Sequence, residues 1–424
     1  MCVRVVWRLL LLMLIFAAAA AQKKPGLPLD VPIGIDSPSA PGSAEPNLYG
    51  APDGRVFLSW IEPGQNKGHA LRFSELREFS FTNNLSLPQP AWSEPRTIAE
   101  GENWFVNWAD FPSLIALPAG RLAAHWLVKS GAGAYAYDVN LSQSIDGGST
   151  WSKPIVPHRD GTQTEHGFVS LLSLQDGGVG AAWLDGRNFK GSEHQGHGAS
   201  KSEMTLCYAR IDKEGRLSDE AVLDNRVCEC CQTSAAITLR GVVVAYRDRS
   251  AAEVRDISVV RRIGSRWTEP RTVHQDGWRI EGCPVNGPSV AADGNRVVVG
   301  WFTGANDSPM VKVAFSSDAG DSFGAPIRVD DGSPIGRVQT LVLPDGTAVV
   351  VWLERTGKEG EIRIRRVGPN ETRGKSITVS KAGLARASGF PRMAHSGEKV
   401  IVAWTDSSKP SRVHTAVIRL QPIR

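Results

Sequence analysis

Seven short segments rich in valine and alanine recur about every fifty residues, and six of them end in tryptophan. They are residues 55–60, 121–126, 178–183, 242–246, 297–301, 348–352 and 400–404. Turns such as Pro-Asp-Gly precede several of them, and the chain has no helical periodicity. The repeat predicts a propeller or a solenoid, and we expect an all-β propeller of four-stranded antiparallel blades. Seven second strands predict seven blades, with six as the alternative if one repeat has been divided wrongly.

The two ends of the chain are predicted to meet in one blade. The last repeat begins near residue 387 and contains three strand-like segments but no fourth. Residues 22–45 are rich in Pro, Gly and Ser and are predicted to be a linker, in which residues 29–35 resemble a strand. If that strand completes the last blade, it closes the ring. We therefore expect a single propeller domain over residues 46–424.

Two stretches, residues 144–151 and 316–323, share the pattern Ser-x-Asp-x-Gly-x-x-Trp/Phe. A carboxylate can bond nearby backbone N–H groups, and glycine tolerates positive φ, so each stretch predicts a tight turn. The aromatic residue that follows is expected to pack beneath a neighbouring strand. Each turn falls between the third and fourth strands of its repeat.

This turn pattern and the blade repeat resemble the Asp-box propellers of the sialidase superfamily, especially secreted bacterial proteins labelled exo-α-sialidase. The likeness in layout covers essentially the whole mature chain, although Asp-boxes also occur in non-enzymatic binding proteins. In sialidases, three arginines bind the substrate carboxylate, an Asp is the acid/base, and a Tyr activated by a Glu is the nucleophile. Their Phe/Tyr-Arg-Ile-Pro motif has no counterpart near the amino terminus here; the nearest fragment is residues 389–392.

Strand direction predicts which face of the propeller carries a site. Because successive strands are antiparallel, the turns joining first to second and third to fourth strands lie at the same end of a blade. The opposite face collects the entries to the first strands and the links from second to third strands. Charged residues are concentrated in these segments, and loops at one end of a β scaffold often build sites. The site is therefore predicted on the face away from the two Asp-Gly turns.

Arginines in these segments are candidates for binding a carboxylate, because guanidinium stays charged and binds carboxylate through two hydrogen bonds. They are Arg187, Arg247, Arg249, Arg337 and Arg392. Carboxylates beside them are candidates for acid and base catalysis, namely Asp110, Asp185, Asp248 and Glu354. For each of them, a structural ion pair between blades is the alternative.

Three other residues on this face carry weaker predictions. Glu165 and His166 form an adjacent polar pair at the entry to a first strand. Tyr246 ends a second strand where the other repeats have Trp, so we expect it to pack in the core.

Five cysteines follow Cys2: Cys207, Cys228, Cys230, Cys231 and Cys283. Cys283 and the group 228–231 fall at equivalent places in their repeats, so a disulfide such as Cys228–Cys283 is predicted for an exported protein. A thiolate site for a soft metal is the less favoured alternative.

The amino terminus predicts export. Arg4 and Arg8 precede an apolar run over residues 9–16 and small residues at 17–21, the pattern of a signal peptide over residues 1–21. The mature protein is expected to be periplasmic or extracellular. Its net charge of +4, with both signs interspersed, does not favour nucleic acid, and no later segment predicts membrane insertion.

These features favour a secreted, sialidase-like glycoside hydrolase that acts on an anionic sugar. We expect a glycan or glycoconjugate partner, a monomer, no cofactor and no catalytic metal. The alternative is a non-catalytic exported propeller that binds glycan, protein or metal.

Overall fold

The computed structural model describes residues 26–65, 67–79, 89–189 and 203–422. The predicted signal peptide lies outside these ranges. The described residues form seven antiparallel sheets, which are the blades of a β-propeller, so the predicted fold class and blade count are confirmed. The first strands of successive blades contact one another around a closed ring. Within the described residues, no helix is long and apolar enough to cross a membrane.

All strands are short, as expected for propeller blades. In chain order they are β1 (Ile33–Ile35), β2 (Ala44–Gly50), β3 (Val56–Pro63), β4 (His69–Phe79), β5 (Gln89–Trp92), β6 (Arg96–Gly101), β7 (Ser113–Ala116), β8 (Leu122–Lys129), β9 (Tyr137–Ser144), β10 (His166–Ser173), β11 (Val179–Asp185), β12 (Met204–Ile211), β13 (Leu217–Val227), β14 (Ser234–Thr238), β15 (Gly241–Arg247), β16 (Ile257–Ile263), β17 (Arg266–Trp267), β18 (Arg271–Thr272), β19 (Ser289–Asp293), β20 (Arg296–Thr303), β21 (Met310–Ser316), β22 (Ile327–Arg328), β23 (Pro334–Val342), β24 (Ala348–Thr356), β25 (Glu359–Val367), β26 (Ile377–Ala382), β27 (Arg392–Ser396), β28 (Lys399–Asp406) and β29 (Arg412–Arg419). Single 3₁₀ turns are found at Pro118–Gly120, Ala305–Asp307 and Arg386–Ser388.

Blades 1 to 6 follow one another along the chain. Blade 1 contains β2 to β6, blade 2 β7 to β9, blade 3 β10 to β13, blade 4 β14 to β18, blade 5 β19 to β22 and blade 6 β23 to β26. Blade 7 contains β27 to β29, with β1 on its outer edge. There Ile33 lies opposite Val417 and Ile35 opposite Thr415, so the amino-terminal strand joins the carboxyl-terminal one.

The two Asp-Gly turns follow β9 and β21, the third strands of blades 2 and 5. In the first, Asp146 Oδ1 accepts the backbone N–H of Thr150 at 2.9 Å and Oδ2 accepts its hydroxyl at 2.7 Å. These hydrogen bonds lower the pKa of Asp146 to about 2. Trp151 then packs edge-on against Phe73 of blade 1, at 6.1 Å between ring centres. The turn therefore fixes an inter-blade contact.

Replacement of Gly148 by alanine should destabilise this turn. Its φ is +88°, and an added Cβ would overlap the Phe73 ring and lie 3.1 Å from Leu122 Cδ1. We expect Gly148→Ala to lower the free energy of unfolding by about 2 kcal/mol or more in urea titrations. Gly147→Ala is the matched control, because φ there is +70° but the nearest atom is 3.9 Å away. Equal losses in the two variants would contradict the packing argument.

Candidate functional site

Two of the predicted acid/base residues accept a hydrogen bond from the tryptophan two residues earlier in their strand. In three blades the indole N–H donates to a carboxylate two residues later: Trp60 to Glu62 (2.7 Å), Trp183 to Asp185 (2.8 Å) and Trp352 to Glu354 (2.5 Å). Residues i and i+2 lie on the same side of a strand, so this bond follows from the repeat itself. Asp185 and Glu354 therefore have a structural role in their blades.

Asp110 belongs to a buried cluster between blades 2 and 3. The hydroxyl oxygen of Tyr137, at the start of β9, is 2.9 Å from Asp110 Oδ2 and 2.9 Å from Glu165 Oε1. The second oxygen of Asp110 accepts the backbone N–H of Phe168 at 2.7 Å. All three side chains of this acid–phenol cluster are buried, and the ring of Phe105 stacks on Tyr137 at 3.9 Å.

The acid–phenol cluster must hold an extra proton near neutral pH. A phenol has one O–H and can donate to only one of the two carboxyl groups. The other carboxyl therefore has to carry a proton and donate to the phenol oxygen. Burial accordingly raises the pKa of Asp110 to about 7 and that of Glu165 to about 8. Burial and the nearby Asp110 also raise the pKa of Glu45, whose Oε2 has no hydrogen-bond partner in the described structure.

A cationic group lies beside the acid–phenol cluster, on β10. His166 Nε2 is 3.0 Å from Asp160 Oδ2, and its Nδ1 is 3.3 Å from Asp138 Oδ1. Burial lowers the pKa of His166, but its interactions with the carboxylates of Asp138 and Asp160 outweigh burial and raise that pKa to about 9. His166 is therefore a buried cation at neutral pH.

Asp185 and Arg187 form a salt bridge next to His166. Arg187 donates from Nε to Oδ1 at 2.8 Å and from Nη2 to Oδ2 at 2.7 Å. Burial raises the pKa of Asp185, but Arg187 and His166 outweigh it and keep that pKa below its usual value. Of the Arg187 side chain, 30% remains exposed. The structure thus brings these two predicted residues together as partners.

One group of side chains could in principle bind a metal ion. Its possible ligand atoms, from Asp138, His158 and His166, lie within 4.8 Å of one another. The two imidazole rings, however, stack at 3.7 Å with their planes 8° apart. A metal ion binds in the plane of an imidazole ring, so one ion cannot satisfy both stacked rings without a ring rotation. Burial and the charge of His166 lower the pKa of His158 to about 4. The arrangement fits one neutral and one protonated histidine.

Arg247 is a structural residue in this fold. It is buried, stacks over Trp278 at 4.8 Å, and donates to the carbonyl oxygens of Asn286 (2.7 and 2.9 Å), Arg255 (2.6 Å) and Phe302 (2.7 Å). These carbonyls belong to blades 4 and 5, so the guanidinium joins the two blades. These bonds use four of the five N–H donors of the guanidinium.

Arg249 and Asp248 also face internal partners. Arg249 forms ion pairs with Glu229 and with Glu253, the latter at 2.8 Å. Asp248 accepts the Ser258 hydroxyl at 3.0 Å, and burial raises its pKa. Tyr246 is buried, and its hydroxyl donates to Asp224 Oδ2 at 2.6 Å.

Arg337 and Arg392 lie on the first strands of blades 6 and 7. Arg337 donates to the Gly389 carbonyl at 2.8 Å and stacks over Trp108, whereas Arg392 stacks over Phe111, each 4.8 Å from the ring centre. Burial lowers the pKa of both guanidinium groups to about 10. Arg392 lines a channel cavity of about 680 Å³, and its Nε has no hydrogen-bond partner in the described structure.

The predicted pairing of Cys283 with Cys228 is wrong. Cys283 is bonded to Cys230, with 5.9 Å between their Cα atoms. Cys228 directly follows β13, and its buried sulfur faces Arg255 and Cys231 instead. Adjacent cysteines after a strand point in different directions, and the sequence did not indicate which of them faces blade 5.

The sequence pattern also missed Tyr137 and gave Glu165 only as part of a polar pair. A signal was present, because Tyr137 and Asp138 begin the third strand of blade 2, and Glu165 and His166 mark the entry to the first strand of blade 3. Polar residues at the starts of strands in neighbouring blades meet at one rim. That pattern could have grouped Asp110, Tyr137 and Glu165.

No protein-family model matches the chain, and no curated protein sequence does. A protein of unknown function from Dyadobacter fermentans has a similar structure, with TM-score 0.52 and 15% identity over 94% of this chain and 99% of that one. An α-L-arabinofuranosidase from Fusarium graminearum gives 0.49 and 12%, covering 94% and 98%. The NanB sialidase from Streptococcus pneumoniae gives 0.44 and 10%, covering 87% and 84%. At these identities the likeness concerns the fold alone.

Proposed function

We propose that the protein is an exported glycoside hydrolase acting on glycans that carry an anionic sugar. The observation that supports this is the acid–phenol cluster of Asp110, Tyr137 and Glu165. Glycoside cleavage needs a proton donor and a nucleophile with a base, and this cluster contains all three groups. The phenol oxygen contacts both carboxyl groups at 2.9 Å, which places a base and an acid beside the same nucleophile.

In this proposal each residue has one role. Asp110 has the lower pKa of the two carboxyls, so it takes the proton from Tyr137, and the phenolate attacks the anomeric carbon. Protonated Glu165 gives its proton to the departing oxygen. A water molecule then attacks the anomeric carbon and gives a proton to Glu165, while Asp110 returns its proton to the departing Tyr137 oxygen. The partly exposed Arg187 binds the sugar carboxylate. Because Phe105 covers the phenol, the substrate has to displace that ring.

The test is hydrolysis of fluorogenic sialosides and uronides by the full-length exported protein. We expect turnover of at least one substrate, reduced by about 100-fold or more in Tyr137→Phe and Glu165→Gln. Glu62→Gln is the matched control, because it also replaces a buried carboxylate, on the second strand of another blade. Absence of turnover on every substrate, or variants as active as the parent, would refute the hydrolase proposal.

A non-catalytic glycan-binding propeller is the second candidate. It is favoured by the internal partners of Arg187, Arg247, Arg249 and Arg337, which leave Arg392 facing the channel. This candidate predicts binding of an acidic sugar without turnover. Binding should be lost in Arg392→Gln and retained in Tyr137→Phe, as measured by calorimetry.

A further inference from the structure

Four cysteines are clustered at the border of blades 4 and 5, apart from the acid–phenol cluster. Cys228 Sγ lies 3.3 Å from Cys231 Sγ and 4.0 Å from Cys230 Sγ, and Cys230 is bonded to Cys283. A dithiol pair with Cys-x-x-Cys spacing thus adjoins a disulfide. The dithiol is buried, whereas both disulfide cysteines are partly exposed.

The surroundings of the dithiol make its two sulfurs different. Arg255 Nη1 is 3.3 Å from Cys228 Sγ, and Glu229 holds the same guanidinium nitrogen at 2.7 Å. Burial raises the pKa of Cys228, but the Cys231 thiol and the positive charge of Arg255 outweigh burial and lower it to about 7. Burial and the neighbouring sulfur raise the pKa of Cys231. One sulfur is therefore the nucleophile, and the other keeps its proton.

We propose that these cysteines form a thiol–disulfide exchange site that accepts low-molecular-weight disulfides. The Cys228 thiolate attacks Cys230 Sγ, and Cys283 leaves as a thiolate and takes up a proton. Cys231 then loses its proton to water and attacks Cys228 Sγ, which releases Cys230 as a thiolate that is protonated in turn. The dithiol of Cys228 and Cys231 has then been oxidised to a disulfide. Cys230 and Cys283, the partly exposed pair (called the exposed pair below), have been reduced to two thiols.

A small disulfide restores the exposed pair. It exchanges first with Cys230 or Cys283, and the second of these thiols then displaces the remaining half, so two small thiols are released and the Cys230–Cys283 bond is formed again. This order follows from burial, because only the exposed pair can meet a solute directly. The exposed pair therefore relays oxidation to the buried pair.

Oxidised glutathione is the probe for this relay. The full-length protein would be incubated with it, quenched in acid at increasing times, alkylated and mapped by mass spectrometry. We expect Cys228 and Cys231 to lose alkylation together and a Cys228–Cys231 cross-link to accumulate. In Cys230→Ser this oxidation should be at least about tenfold slower. Cys207→Ser is the control, because Cys207 lies in the core of blade 3 and should leave the rate unchanged.

Three results would overturn the proposal. The first is that Cys228 and Cys231 of the parent protein remain fully alkylated at every time and glutathione concentration. The second is an unchanged oxidation rate in folded Cys230→Ser. The third is a stoichiometric zinc or copper ion that protects the cysteines, which would make the cluster a metal site. If Cys230→Ser does not fold, the parent protein alone decides, because the relay requires a Cys228–Cys230 linkage at early times.

Discussion

The free energy of unfolding is expected to fall as the pH is raised from about 5 to about 9, because the acid–phenol cluster holds protons that the unfolded chain releases. In the unfolded chain, Asp110 and Glu165 ionise at their usual values near 4. In the folded protein, burial raises the pKa of Asp110 to about 7 and that of Glu165 to about 8. Between these limits the folded state binds more protons, so stability decreases with pH. One group whose pKa is raised by about three units lowers the free energy of unfolding by about 4 kcal/mol across this pH range.

His166 acts in the same direction at higher pH. Its folded pKa of about 9 lies above the unfolded value of about 6.5. The stabilisation from its charge is therefore complete below pH ~6.5 and is lost as the pH rises through ~9. Both effects make stability greatest in mildly acidic solution.

Urea titrations across this pH range measure the slope directly. Glu165→Gln should flatten it, because one proton-binding group is removed. Asp146→Asn is the control: the pKa of Asp146 is about 2, so its replacement should leave the slope between pH ~5 and ~9 unchanged. A slope that is absent in the parent, or unaltered in Glu165→Gln, would show that the cluster is ionised or solvated.

The fold could be predicted because its determinants are local. The repeat of valine-rich strands and the two Asp-Gly turns are each contained in a few consecutive residues, and seven copies give seven blades. Strand alternation likewise allowed the polar rim to be predicted without knowledge of any contact. These are short-range properties of the chain.

The partners at that rim could not be predicted, because they come from different blades. Arg247 and Arg337 looked available for a ligand, but backbone carbonyls of neighbouring segments occupy them. The roles proposed for these arginines depended on which acceptors lie opposite them, and sequence spacing does not encode that. The register between neighbouring blades decides which donors and acceptors meet. Asp185 and Glu354 are different, because each accepts from the tryptophan two residues earlier in its own strand, and that spacing is visible in the sequence.

Gly167→Ala is expected to cause the largest loss of stability among the substitutions considered, about 3 kcal/mol or more. An added Cβ would overlap Asp110 Oδ2 and lie 2.8 Å from Tyr137 Cε2. Neither group can easily move, because the Phe168 N–H holds Asp110 and Phe105 stacks on Tyr137. The methyl group therefore has to displace the acid–phenol cluster or the start of β10.

Gly34→Ala separates this packing effect from the general effect of replacing glycine in a strand. Gly34 lies in β1, and an added Cβ there meets no atom within 4 Å, so we expect a change within about 0.5 kcal/mol. Gly167→Ala should also flatten the pH dependence of stability, since Asp110 loses its bond to Tyr137 when it is pushed aside. A folded Gly167→Ala protein with the parental stability and slope would mean that the three side chains are not packed as closely as described. If Gly167→Ala is less stable but its free energy of unfolding keeps the parental slope with pH, the proton is bound by Glu165 and Asp110 is not needed for it.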